Sequence, residues 1–380
     1  MRLVLVVTAT VLAHAAFNGS RVTISLYALS LGATPLLVGG LMSLYAALPM
    51  FLSVRAGRHV DRVGVRTPII AATGLLGIAV AMPGAWPGIT TLFFAAAAIG
   101  CGFMVFHICV QHLVGEMSAP TLRQANFGWL ALGFSISGFL GPTLAGFAID
   151  TIGHGNTFLL LCTLALGSFG LLVSQRAKLP HTPHATNDAT QRGTFDLLSD
   201  VELRRIFIVT GLLASAWDLF IFVMPIYGTA IGLSASTIGL ILGSFALATF
   251  VVRLALPWLT RRWREWQMIT GTLCVACVAY ALFPVMRTVP FIAAIAFLLG
   301  LGLGATQPAL LSLIYTAAPT GRAAEAVGIR STVLNASHTI LPLTFGGVST
   351  FLGMAPVFWT MAGLLAAGGW FANRRRLAGA

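Results

Sequence analysis

The sequence predicts an all-α membrane protein of twelve transmembrane helices arranged in two pseudo-symmetric six-helix halves. Three observations point there. The 380 residues are 57% hydrophobic and 8% charged, whereas soluble domains carry about 25% charged residues. The apolar residues gather in stretches close to the ~20 residues a helix needs to cross about 30 Å of hydrocarbon. Features of the first half also return 200 positions later in the second.

Twelve spans are placed near 4–30, 36–55, 67–84, 88–113, 127–149, 156–175, 204–228, 235–259, 267–285, 290–317, 327–349 and 354–373. The first, beginning MRLVLVVTATVLAHAAF, has the basic flank and apolar run of a secretory signal. It lacks a convincing processing site and eleven more apolar stretches follow, so it is read as a span. Between spans 6 and 7 lies the longest polar connection, whose proline, threonine, asparagine and aspartate content cannot form a core. Its end, FDLLSDVELRRIF, reads as a short amphipathic surface helix. The expected organisation is a six-helix half over 1–175, a linker over 176–203 and a second half over 204–380.

Lys and Arg number 22 against 10 Asp and Glu, for a net charge of +12. No basic stripe interleaved with aromatics and no nucleic-acid motif accompanies the excess, which excludes nucleic acid as the partner. The charge instead marks one side of the membrane. Arg2, the Arg55/Arg58/Arg62/Arg66 group, Arg123, the stretch from Arg176 to Arg205, Arg261/Arg262/Arg264, Arg322, Arg330 and Arg374/Arg375/Arg376 fall on one side, and essentially only Arg287 on the other. The positive-inside rule then expects a multi-pass protein of the inner (plasma) membrane with both termini in the cytoplasm. Cys101, Cys109, Cys162, Cys274 and Cys277 lie in apolar runs and read as small buried hydrophobes, with no metal site.

The repeat superposes Tyr27 on Tyr227, Gly32 on Gly232, Gly39 on Gly239, Arg62 on Arg262, Gly100 on Gly300, Gly102 on Gly302, Pro142 on Pro342 and Gly146 on Gly346 without a gap. A parallel duplication of this kind suits rocking of two bundles around a midplane site.

Charges inside hydrocarbon are costly and therefore functional candidates. Only Arg21 in span 1 and Asp218 in span 7 clearly qualify, and Asp218 occupies the repeat position of Asn18. A carboxylate beside a cation can exchange that partner for a proton or a cationic substrate. Asp218 is thus the leading coupling site, with Arg21 as its partner or as an anion hook, the alternative being a permanent ion pair that pins the helices. Glu116 is a further titrating candidate. His107 and Gln111 form a polar stripe on span 4, and His14, Gln307 and His338 are cavity candidates. Trp129, Trp217, Phe220, Phe222, Tyr227, Phe103 and Phe106 are candidates for an aromatic wall, Trp217 and Phe220 most of all because they neighbour Asp218.

Between spans 2 and 3, GRHVDRVGVR places Gly57, Asp61, Arg62, Gly64 and Arg66 in the pattern of a cytoplasmic loop motif. Asp61 is expected at the start of span 3, where a carboxylate can accept from free N–H groups. In span 5, GFSISGFLGPTLAG carries Gly133, Gly138, Gly141, Pro142 and Gly146. The small residues permit close helix approach and the proline, lacking an amide donor, a local bend. The first motif resembles the loop signature of major facilitator superfamily transporters, and the second resembles that of their drug:proton antiporter branch. The resemblance implies the major facilitator fold, a loop that latches the outward-facing state and a span 5 at the interface between halves. The second copies depart from it: PWLTRRWREW has Pro257 and Arg261 where Gly57 and Asp61 stand, and His338 replaces Gly138. Span 4 has Gly100 and Cys101 where an intramembrane arginine often accompanies proton-coupled export.

No catalytic arrangement and no phosphate-binding glycine loop is found, so no enzyme activity, catalytic residue or cofactor is expected. The resemblance implies a monomeric secondary transporter, lipid-embedded, that takes a small-molecule substrate with protons as coupling ion. A proton-coupled exporter of amphiphilic or drug-like compounds is expected. The alternatives are a proton-linked importer of a metabolite or organic ion, and a membrane receptor that binds substrate without transporting it.

Overall fold

The computed structural model describes residues 3–118, 123–176, 179, 196–318 and 323–373. Every regular element among them is helical: α1 (Leu3–Ser30), α2 (Pro35–Val63), α3 (Arg66–Ala85), α4 (Ile89–Met117), α5 (Arg123–Ser174), α6 (Asp196–Ser199), α7 (Val201–Ala230), α8 (Ala235–Arg262), α9 (Glu265–Leu282) with a 3₁₀ turn (Phe283–Val285), α10 (Val289–Ala317), α11 (Ala323–Leu352) and α12 (Met354–Asn373). Expected spans 5 and 6 are the two limbs of α5, broken at Gly153, whose φ of 79° is accessible to glycine. Pro142 stays inside the first limb. The surface helix expected before span 7 is the single turn α6, after which Asp200 accepts from the Leu203 amide at 2.8 Å and starts α7.

The repeat is visible in how helices begin and how closely they approach. Gly32 and Gly232 turn the chain at φ 81° and 78°. The hydroxyls of Thr34 and Ser234 then accept from Leu37 and Thr237 amides at 3.4 and 3.2 Å, capping α2 and α8. A Cβ on Gly100 would lie 2.5 Å from the Tyr45 carbonyl oxygen, and one on Gly300 would lie 2.3 Å from that of Phe245. Small residues let backbones meet, which is how helices associate where lipid removes the hydrophobic drive.

The chain divides into two compact units, Met1–Asp188 with Pro225–Gly243, and Ala189–Met224 with Ser244–Ala380. In unit one, α5 lies along α1. A Cβ on Gly133 would meet Val7 and Val11 at 3.1 and 3.3 Å, and one on Gly141 would lie 2.6 Å from the Ala15 carbonyl. The α8 start joins this unit for a specific reason. A Cβ on Gly146 would lie 2.3 Å from the Ala235 carbonyl, and one on Gly239 would lie 2.5 Å from that of Pro142. The Asp150 carboxylate accepts from the Ala235 and Ser236 amides at 3.1 and 2.7 Å, a negative charge on a helix N-terminus.

In unit two, Gly211 of α7 faces Val333 of α11, at 3.1 Å from a built Cβ. Tyr280, Phe283 and Phe358 stack into the core with ring centroids 5.5–6.2 Å apart. Arg205 lies over the Trp266 ring at 4.4 Å, with 8% of its surface exposed.

Four expectations change. Asp61 lies in the last turn of α2 rather than at the start of span 3, because that helix runs on to Val63 and turns at Gly64. Gly57 sits within α2 with open space at its Cβ position, so no steric contact demands a glycine there. Cys274 is exposed rather than buried. The intramembrane cations include more than Arg21: Arg253 lies inside the apolar segment Ala235–Leu256, and Arg330 of α11 is only 8% exposed.

Candidate functional site

Two polar clusters interrupt the apolar helices, one in each unit. In unit one, α1 presents His14 and Asn18 one turn apart. The His14 Nδ1 is 2.5 Å from the Ser137 hydroxyl of α5, and the Asn18 amide nitrogen is 3.2 Å from the imidazole. Aromatic rings surround the imidazole. Phe103 stacks on it at 5.2 Å, Phe134 meets it edge-on at 4.9 Å, and Phe17 stacks on Phe103 at 4.0 Å. His107 continues the cluster 5.8 Å from Phe103, with its ring 3.1 Å from the Gln111 amide nitrogen. Deeper along α1, the Arg21 guanidinium lies 6.0 Å from the Tyr45 ring, and its buried Nε has no hydrogen-bond partner.

In unit two, Asp218 sits midway along α7, 3% exposed, and its carboxylate is paired with His338 Nδ1 of α11. A buried carboxylate is tolerated only when paired and hydrogen-bonded, and removal of the partner leaves an uncompensated charge. The neighbouring Tyr280 hydroxyl donates to the Ala216 carbonyl. The Gln307 side chain of α10 accepts from the Arg330 guanidinium. Trp217 meets Phe245 edge-on at 4.8 Å.

Several expected residues therefore come together. His14, Asn18, His107 and Gln111 join one cluster, and Asp218 joins His338. The partner of Asp218 is this histidine rather than Arg21, a pairing no sequence motif announces because it joins α7 to α11. Ser137, Phe17 and Phe134 were not anticipated. The only signal for Ser137 is its position four residues after Gly133 on the face that meets α1. Phe220 and Phe222 are packed into the core at 1% and 2% exposure, as is Phe106 at 0%, while Trp129 is 60% exposed. Tyr227 is likewise buried at 6%. The side chains of Asp61 and Glu116 lie outside the described residues, and Arg62 is exposed. Among the described residues no group of His, Cys, Asp or Glu could hold a metal ion.

The Major Facilitator Superfamily profile matches residues 6–342 and again 206–378, its two starts 200 residues apart (206 − 6). The chain belongs to this family. Among solved structures it is similar to a POT family transporter in complex with a thioalcohol-conjugated peptide, at 14% identity, TM-score 0.82, covering 97% of this chain and 94% of that one. It is similar also to a point mutant of the nucleoside transporter NupG, at 14% identity, TM-score 0.79 and coverage of 97% and 98%. The human organic anion transporter MFSD10 (TETRAN) is similar at 16% identity, TM-score 0.69 and the same coverage. At these identities the likeness is one of fold. A curated relative, the uncharacterized protein YqgE of Bacillus subtilis (strain 168), is 22% identical over 311 residues, 78% of this chain and 70% of its own length. This is a multi-pass membrane protein of transporter family and fold, with the two-half architecture expected from the repeat.

Proposed function

We propose that the chain is a proton-coupled secondary transporter that exports small amphiphilic compounds by alternating access, with Asp218 and His338 as its proton-responsive pair. The observation that carries this reading is the pair itself: an acid 3% exposed in the middle of an apolar helix, held by an imidazole of another helix. A proton taken by the carboxylate cancels its charge and weakens its hold on the imidazole, so the α7–α11 link loosens. Loss of the proton restores it. Such a link gives two states whose balance follows proton access.

Export is supported by the resemblance of the α5 glycine-proline run to the antiporter signature, a run whose Gly133 and Gly141 approach α1 and whose Gly146 approaches the start of α8. The ring-lined His14 cluster suits a planar or amphiphilic solute. The arginine distribution orients both termini to the cytoplasm of the inner membrane.

Fluorescence of a pH dye in proteoliposomes, with imposed proton gradients and lipophilic cations, organic anions and sugars added in turn, tests the reading. Substrate-dependent collapse of an acid-interior gradient, absent from empty liposomes, is expected with lipophilic cations. Solute entry together with protons overturns the export direction in favour of import. Solute binding without flux or counterflow overturns transport in favour of a receptor.

A further inference from the structure

A second chemistry lies away from both polar clusters, where α8 turns into α9. A cavity of about 380 Å³ opens there, flanked by α10, at the small end of the roughly 300–1,000 Å³ typical of ligand sites. Arg261, Arg262 and Arg264 all line it, and none forms an ion pair among the described residues. The one carboxylate in the lining, Glu265, accepts from the Ser312 hydroxyl at 3.0 Å. Three guanidiniums against one engaged carboxylate leave the cavity strongly positive. Arg262 lies over the Trp258 ring at 4.9 Å, and Trp258 and Trp263 are 57% and 52% exposed. Exposed tryptophan at a helix end marks the headgroup level of a bilayer. Leu256, Met268, Pro308 and Ala309 give the lining an apolar part, with Thr260 and Ser312 its uncharged polar residues. At the equivalent place in the first repeat stands Asp61, so Arg261 reverses the charge of the loop.

We infer that this cavity binds the headgroup phosphate of an anionic phospholipid. Guanidinium groups match phosphate oxygens in geometry and charge. The apolar part of the lining and the flanking tryptophans favour a headgroup still attached to its glycerol and acyl chains over a free phosphate. A basic pocket between helix ends is a setting in which anionic headgroups are held. The site depends on neither transport direction nor coupling ion.

The test is native mass spectrometry of the detergent-purified full chain titrated with dioleoylphosphatidylglycerol or dioleoylphosphatidylcholine. Wild type is expected to retain the glycerol lipid in preference to the choline lipid. Arg261→Gln should bind it about fivefold more weakly, and Arg261→Gln with Arg264→Gln about 30-fold. Arg287→Gln, in the connection before α10, should bind as wild type does. Both substituted side chains are exposed, so melting in plain detergent should stay unchanged, and the single variant serves if the double one does not fold. Equal retention of the two lipids, or unchanged binding in Arg261→Gln, overturns the inference. Displacement of the lipid by inorganic phosphate or glycerol 3-phosphate at comparable concentration overturns the lipid assignment in favour of a soluble phosphate compound.

Discussion

Helices α1 and α5 of the first repeat correspond to α7 and α11 of the second, yet the two pairs are joined by opposite chemistry. In the first, the His14–Ser137 hydrogen bond links the helices, and Asn18 supports the ring from its own helix. In the second, Asp218, at the repeat position of Asn18, reaches His338, at the repeat position of Gly138. The packing is exchanged in the same way. Gly133 of α5 receives Val11 of α1, whereas Val333 of α11 is received by Gly211 of α7. One side of each contact must be small, but which side is free to differ, so the duplicated fold survives while the polar link diverges. The first link holds no carboxylate, whereas the second holds one buried at 3% exposure. The difference places the proposed coupling acid in the second repeat alone: Asp218 stands there where the first has Asn18.

Exchanging residues between the repeats breaks this comparison in graded steps. Asp218→Asn imposes the first repeat's residue and removes the titrating group. Proton-driven flux is expected to vanish in proteoliposomes while solute counterflow persists, and Asn18→Asp added to it should not restore coupling. Retained proton-driven flux in Asp218→Asn would sink the proposed role.

Gly141→Leu imposes the residue at 341. Its Cβ would lie 2.6 Å from the Ala15 carbonyl and 2.9 Å from the Gly19 amide, both backbone atoms. The α1–α5 contact then has to part, at a cost of about 3 kcal/mol or more, read as a lower melting temperature in detergent. Wild-type melting would show that α5 approaches α1 less closely.

His338→Gly restores the first repeat's residue and removes the partner of Asp218. Gradient-driven flux should fall about tenfold, equivalent to about 1.4 kcal/mol, and His338→Gln should match it. If the glutamine variant transports normally, the loss reflects glycine in a helix and not the missing imidazole. The smallest effect is expected for Asp150→Thr, the residue at 350. It removes the charge from the α8 N-terminus, worth about 0.5–1 kcal/mol for an exposed group, measurable as faster amide exchange at Ala235 and Ser236. Unchanged exchange would show that this carboxylate leaves α8 in place.

The turns between α2 and α3 and between α8 and α9 extend the comparison. Gly64 turns the first at φ 79°. Its counterpart Arg264 turns the second at φ −74°, its amide donating to the Gln267 side chain at 2.9 Å. Once the left-handed residue is replaced, glycine is no longer needed, and an arginine becomes available to the cavity beneath.

Much of the fold was legible because membrane residence is a local, one-dimensional property. A run of apolar residues must be a helix wherever lipid surrounds it, since every backbone polar group has to be satisfied within the segment. That is why expected span 12 coincides with α12, and why the span 5 to span 6 break falls at a glycine. The site was legible only in part. Asp218 stands out by its charge, but Phe220 beside it looks the same in sequence whether it is exposed or buried, and only the packed helices show it 1% exposed. Arg330 reads as a basic flank until its contact with Gln307 shows it drawn into the bundle.

By itself, then, the sequence determined that the chain lives in a membrane, that its spans are helical and that its two halves repeat, because hydropathy and repeat spacing are written along the chain. Tertiary structure alone decided that Asp218 answers to His338, that Asp150 holds the start of α8, and that three arginines share one cavity. These are contacts between distant helices, and their existence depends on the angle and rotation at which the helices pack, which hydropathy does not encode.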